Sequence, residues 1–438
     1  MSLKKQLSAT TSIFPLAIYR IAFGFLLCFS LVRFMANGWV EACYLSPEFH
    51  FTYQYFGWIH PPESATLMYS IVVLSALAAL CIGLGFLYRI ATIVFFVSFT
   101  YLELIEQSWY LNHYYFVSII AFLLCFIPAH KDYSIDAIWM KKLRSKSVAS
   151  WTVFILKIQI SIVYLFAGIA KLKPDWLLEA MPLKIWLKAK TEFPIVGPLF
   201  QYESTAYVFS YFGLLYDLSI PFLLWNKKTR PYAFIAVVAF HASTYALFSI
   251  GMFPWIMIAG SLIFISSEEW QALLKRFGIS LTPSEASAET QPLSKFSLGF
   301  FGLFFAIQIA IPLQQYFYAE NVLWTERNYR FSWNVMLMEK TGYAVFTVID
   351  SSSGKKWVEY PKNHLTDIQE KQMSFQPDMI WQYARFLEKK YKNNGHDTIE
   401  VYATVYVTLN GRPSRIYLSE EINLLSISRN EVYDYIID

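Results

Sequence analysis

Four side chains stand where chemistry is expensive. Lys171 closes an apolar run that begins at Trp151 and ends in Y-L-F-A-G-I-A-K-L-K-P-D-W (164–176). Asn112 and His113 open another such run, and His241 falls about ten residues into a third, roughly 15 Å along a helix at 1.5 Å per residue. Ionisable groups inside such runs are costly and generally face a cavity or a partner. A lysine in an apolar pocket can accept a proton, because its solution pKa of about 10.4 falls where the charged form is poorly solvated. An Asn-His pair can orient a ligand or stabilise a developing oxyanion. Each residue also has a plainer reading: Lys171 as a snorkelling anchor, His113 as an interfacial residue, His241 as a helix-to-helix hydrogen bond. Asp217, in Y-D-L-S-I-P, reads as a structural acid paired with a buried Arg or Lys, and Lys157 as a snorkeller.

The elements that must position them are membrane spans. Of the 438 residues 56% are hydrophobic and only 16% charged, with mean hydropathy +0.37; soluble chains carry about 25% charged residues. The net charge of +4 is small and dispersed, with no basic stripe for nucleic acid. Cys28, Cys43, Cys81 and Cys125 have neither disulfide nor metal-ligand spacing, so no metal site is expected. Runs near the roughly 20 residues that cross a bilayer lie at 13–35, 65–87, 89–107, 113–129, 151–171, 205–225, 231–248, 252–266 and 296–318. The fold class expected is therefore an α-helical polytopic membrane protein of about nine transmembrane helices. Arg20 and the lack of a small-residue cleavage site make the first run a retained helix rather than a signal peptide.

Lys4, Lys5, the cluster at 131–146, the 226–230 turn and Lys275 with Arg276 fall on one side, whereas 35–66, 106–114 and 249–254 carry no Lys or Arg. The positive-inside rule then puts the N-terminus in the cytoplasm and the C-terminus outside, with 173–204 as the exception. This brings Asn112, His113 and Lys171 to one leaflet. After residue 318 the pattern changes: strands at 344–349 and 356–360, a helix at 380–391, a strand at 400–408 and an Asn410-Gly411 turn before 414–418. Residues 1–318 are thus read as the membrane domain and 319–438 as a C-terminal extracytoplasmic α+β domain, with a Ser/Pro/Glu linker at 279–295 between spans.

I-Y-R-I-A-F-G (18–24), I-G-L-G-F-L-Y-R-I (82–90), S-W-Y-L-N-H (108–113), Y-S-I-D-A-I-W (133–139), V-Y-L-F-A-G-I-A-K-L-K-P-D-W (163–176) and L-F-S-I-G-M-F (247–253) together resemble the vitamin K-dependent gamma-glutamyl carboxylase family, within the HTTM domain group, in a bacterial-type form. R-F-S-W-N-V-M-L (330–337) and W-Q-Y-A-R-F-L (381–387) extend the resemblance over nearly the whole chain. It implies a bilayer-embedded enzyme that uses vitamin K hydroquinone (or menaquinol), O2 and CO2 to convert glutamate in a peptide or protein to gamma-carboxyglutamate, with epoxidation of the quinol. It implies Lys171 as catalytic base, Asn112 and His113 as active-site residues, Asn112 and His241 against the cofactor, and Trp333 near the glutamate substrate. A bacterial inner membrane is the implied location. Two departures are visible: Ala170 stands where the family commonly has a second lysine, and one extra residue separates Trp109 from Asn112. The competing reading is a non-catalytic HTTM protein that binds a lipid or quinone or presents its outer domain to a partner; a third is quinol epoxidation alone. On the enzymatic reading Lys171 is neutral and points inward, while Lys173 is the interfacial anchor.

Overall fold

A computed structural model describes residues 7–279 and 294–437; Lys4, Lys5 and most of the 279–295 linker lie outside the described residues. Every expected span forms a helix: α1 (Phe14–Ala36), α2 (Ala65–Leu84), α3 (Tyr88–Ile105), α4 (Asn112–Phe126), α5 (Ser150–Ala170), α6 (Glu203–Trp225), α7 (Arg230–Leu247), α8 (Phe253–Ser261) and α9 (Lys295–Leu313). Among the described residues, six helices are long and apolar enough to cross a membrane: α1, α2, α3, α5, α6 and α9 with its extension to Tyr316. Three of the nine expected spans fall short of that length and apolarity. α4 and α8 are shorter, and α7 is diluted by Arg230, His241, Ser243 and Thr244.

Several of the recurring motifs prove to be architectural. Arg20 is fully buried and donates to the carbonyls of Ile82 (2.7 Å), Gly83 (2.6 Å), Ala129 (3.2 Å) and Tyr133 (2.5 Å). It satisfies carbonyls that the end of α2 leaves without intrahelical partners. Asp136 performs the complementary task, accepting from the backbone N–H groups of Leu87 (2.8 Å) and Tyr88 (2.9 Å) at the start of α3. At the α1–α2 crossing a Cβ on Gly24 would stand 2.2 Å from the backbone nitrogen of Gly83, so the two helices touch through their backbones. At the same end, β1 (Thr10–Ser12) pairs antiparallel with β2 (Ser147–Ala149).

The C-terminal part carries a four-stranded antiparallel sheet in the order β4–β3–β5–β6, formed by β3 (Lys340–Asp350), β4 (Lys356–Glu359), β5 (Ile399–Leu409) and β6 (Arg415–Ile416). Its centre is the long β3–β5 pairing, with Lys340 opposite Leu409 and Asp350 opposite Ile399. Helices α10 (Asp367–Met373) and α11 (Pro377–Asn393) accompany it, and the buried side chains of α11 and β5 share one core. The strands and helix expected from the alternation after residue 318 are therefore present.

This domain sits on the ends of the helices through polar contacts. Gln107 donates to Asp378 (2.7 Å), Thr52 N–H donates to Gln382 (2.8 Å), and Gln369 donates to Glu106 (2.9 Å). Arg412, beyond the Asn410-Gly411 turn, and Asn410 itself both donate to Asp175 (2.7 and 2.6 Å). All four free cysteines remain unbridged, and no group of potential metal ligands occurs among the described residues.

Candidate functional site

Lys171 caps the C-terminus of α5, its N–H bonded to the Gly168 carbonyl. Its side chain turns back along the helix: Nζ donates to Ala167 O (3.3 Å) and reaches Asp217 Oδ2 on α6 at 2.8 Å. Each of the two residues is 5% exposed. The approach of α6 depends on Gly168, where a Cβ would lie 2.7 Å from the Leu218 side chain and 3.0 Å from its backbone nitrogen. A side chain there would push away the residue next to Asp217. The expected structural pairing of Asp217 is thus realised, and its partner is Lys171 itself.

Beyond Lys171 the chain turns, and the Pro174–Leu177 helix lays Trp176 across α6. The indole N–H donates to Ser210 O (3.0 Å), and Ser210 Oγ donates to Trp176 O (2.6 Å). The Trp176 ring then stands 5.2 Å from Lys171 Nζ. Lys173 departs from the anchor reading. It donates to Gln315 Oε1 (3.2 Å) and Asn334 Oδ1 (3.0 Å). Burial, and then repulsion from Lys171, push its amine down to about 8. The reason lies in the tertiary fold: the segment after α9 and the 326–336 loop cover this point.

Lys171, Asp217, Tyr164 and His241 line one cavity, otherwise walled mostly by apolar and aromatic side chains. His241 Nε2 is 2.9 Å from the Tyr164 hydroxyl, and its buried Nδ1 has no partner. Asn112 and His113 line a second cavity together with Arg33. The two cavities share Ile250, Phe253, Val335 and Met336. The Phe253 ring stands 6.0 Å from His113 and 6.1 Å from His241, centroid to centroid. The four polar residues therefore surround two adjoining chambers rather than one, with the 248–253 turn supplying the partition. Asn112 donates to Asn334 O (3.1 Å) and accepts from Tyr110 (3.0 Å), so the 326–336 loop is tied to the start of α4.

Trp333 lines neither cavity. It is 1% exposed, stacked on Tyr115 at 5.1 Å, with its indole N–H unpartnered. Its neighbours Val335 and Met336 form the wall instead. Sequence reasoning also passed over Tyr164, Gly168 and Phe253. The first stands one helical turn from Gly168 and two from Lys171, a spacing that puts Tyr164 and Lys171 on one face of a helix; Phe253 closes the L-F-S-I-G-M-F motif, which gave it no role between the histidines.

The fold and the site together define a polytopic membrane protein whose buried polar groups face cavities beneath a C-terminal α+β domain. Residues 9–270 match the model of the HTTM domain, and residues 293–437 match that of the lumenal domain of vitamin K-dependent gamma-carboxylase. The chain belongs to the vitamin K-dependent gamma-carboxylase family. The second match takes in α9 as well as the sheet domain. No solved structure matches the chain.

Proposed function

We propose that the protein carboxylates peptidyl glutamate to gamma-carboxyglutamate at the expense of a vitamin K-type hydroquinol, with Lys171 as the base that starts the reaction. The observation that carries this reading is the Lys171–Asp217 pair set in an apolar cavity beside a buried histidine with a free ring nitrogen. The chamber suits a flat aromatic diol: its walls are aromatic and aliphatic, and His241 Nδ1 offers a buried polar atom to a ring oxygen. When bound, the hydroquinol supplies, by its reaction with O2, the strong base that removes the glutamyl γ-proton.

The protein's own residues do the rest. Lys171 Nζ takes a hydroxyl proton, and His241, fixed by Tyr164, orients the ring. Phe253, Met257 and Phe240 keep water from a carbanion that water would quench. Arg33, Asn112 and His113 in the adjoining chamber receive the acidic side chain and CO2. The single wall of Ile250, Phe253, Val335 and Met336 lets the two half-reactions meet. On this reading all nine helices cross a bacterial inner membrane with the N-terminus inside, residues 1–318 form the membrane domain, and 319–438 lie outside. Trp333 bears on the glutamate indirectly, by seating the loop that holds Val335 and Met336.

The test is to supply the purified chain with a reduced naphthoquinone, O2, labelled bicarbonate and a glutamate-containing peptide. Acid-stable label in the peptide, lost in Lys171→Ala, is expected. Epoxide without label would leave quinol epoxidation alone. No quinol turnover would leave a non-catalytic quinone-binding member of the family, for which the unpartnered His241 Nδ1 is the favouring observation.

A further inference from the structure

We propose that Asp217 is the group on which the hydroxyl proton comes to rest, with Lys171 relaying it, an inference that rests on the reading of Lys171 as base. At 2.8 Å, with 7% of each side chain exposed, the amine lies within hydrogen-bond distance of the carboxylate. An ammonium has no lone pair to offer. Burial in an apolar pocket does not by itself make a lysine that donates to a carboxylate an acceptor.

Lys171 becomes an acceptor when its proton crosses to Asp217 Oδ2. In water that crossing is opposed by the gap of about 6.5 pK units between an amine and an aspartate. In a dry cavity the separated charges are poorly solvated, and the neutral amine–acid pair gains on the ion pair. A ring that fills the chamber completes the drying. The step balances: the ligand O–H bond breaks as its proton bonds to Nζ, and the N–H facing Asp217 breaks as that proton bonds to Oδ2. The ligand is left as an anion, Lys171 as an ammonium and Asp217 as a neutral acid, with no change in total charge. The ammonium exchanges one anionic neighbour for another.

The other polar and charged groups around the pair are Tyr164 from α5 and His241 from α7, hydrogen-bonded to each other, Tyr216 next to Asp217 on α6, Thr244 on α7, Lys173 beyond the end of α5, and the ring of Trp176. Among the described residues lining the chamber, Asp217 is the only carboxylate. The plainer alternative is that the pair only pins α5 to α6.

Two measurements separate these cases, on the full chain in lipid nanodiscs. Without ligand, Lys171 is converted to its phenylthiourea with membrane-permeant phenyl isothiocyanate and followed by mass spectrometry. Asp217→Asn is expected to react about tenfold faster or more at neutral pH, since one pK unit is a factor of ten in free amine; an unchanged rate would overturn the proposal. With anaerobic menadiol, which binds without turnover, a carboxylic-acid infrared band should appear in the natural protein, shift in Asp217→Glu and vanish in Asp217→Asn. Quinolate absorbance without that band would overturn the proton's resting place on Asp217 while leaving Lys171 as the base. Binding without quinolate would overturn both. Melting curves of the isosteric Asn variant verify that it folds.

Discussion

At the residue scale, Lys171 is half of a buried ion pair and, in the function proposed, also the base. Lys171→Ala is expected to abolish quinol turnover, but it also strands Asp217. Breaking a buried pair from one side costs about 3–5 kcal/mol. The double variant Lys171→Ala/Asp217→Asn should therefore melt higher than Lys171→Ala while remaining inactive, which thermal melting beside an epoxidation assay would read. Lys173 behaves differently from a surface anchor. Its amine sits near pH 8 in the fold against about 10.4 in an unfolded chain. Between those values the unfolded state holds more protons, so stability rises with pH through this window. A melting series from pH 8 to pH 10 should show that rise in the natural protein and lose part of it in Lys173→Met.

At the scale of elements, two devices set the site. Gly168 brings α5 and α6 within reach of each other, and Gly168→Val is expected to separate Lys171 from Asp217. The predicted outcome is a loss of activity well beyond tenfold with the outer domain still folded, which a protease-protection pattern of residues 319–438 would verify. The second device is the 326–336 loop. Glu326, Asn328, Phe331, Trp333 and Met336 all have positive φ, and non-glycine residues in that region cost about 1–3 kcal/mol each. Asn334, 2% exposed, offsets part of this by donating to Gln315 (3.1 Å) and Tyr329 O (3.0 Å) and accepting from Lys173. Asn334→Ala should release Val335 and Met336 from the shared wall. The expected result is epoxidation that proceeds without matching carboxylation, measured as the ratio of epoxide to incorporated label.

At the scale of the whole molecule, Asp378 is the hub that joins the sheet domain to the helix ends. It accepts from Gln107 (2.7 Å), Arg330 (3.0 Å) and Arg429 (2.8 Å). Burial by itself would raise its carboxyl, but Arg330 and Arg429 hold it well below the usual carboxylate range. A depressed native pKa contributes stability that is present above about pH 3.9, the ordinary aspartate value, and is lost only as pH falls below it. Docking should thus persist at pH 5. Asp378→Asn, which leaves two partly buried guanidinium groups short of their counter-charge, should undock the domain at neutral pH, detected as faster proteolysis of the 319–330 connection.

Periodicity and composition sufficed for the helices and for the strand positions of the C-terminal α+β part, because a bilayer demands long apolar runs and a half-buried sheet demands alternation. The motif order sufficed for the family, and the cost of in-span polar groups marked Lys171, His113, His241 and Asp217. Three things were decided only by the tertiary structure. Asp217 chose Lys171 as its partner because Gly168 lets two sequence-distant helices touch. Lys173 became part of a polar network because a loop more than 150 residues away covers it. The polar residues came to line two chambers because Phe253 and Met336, which carry no local signal of that role, pack between the histidines. Contacts of this kind depend on how helices cross and where loops return, and those choices are made by packing across the whole chain rather than by any stretch of it.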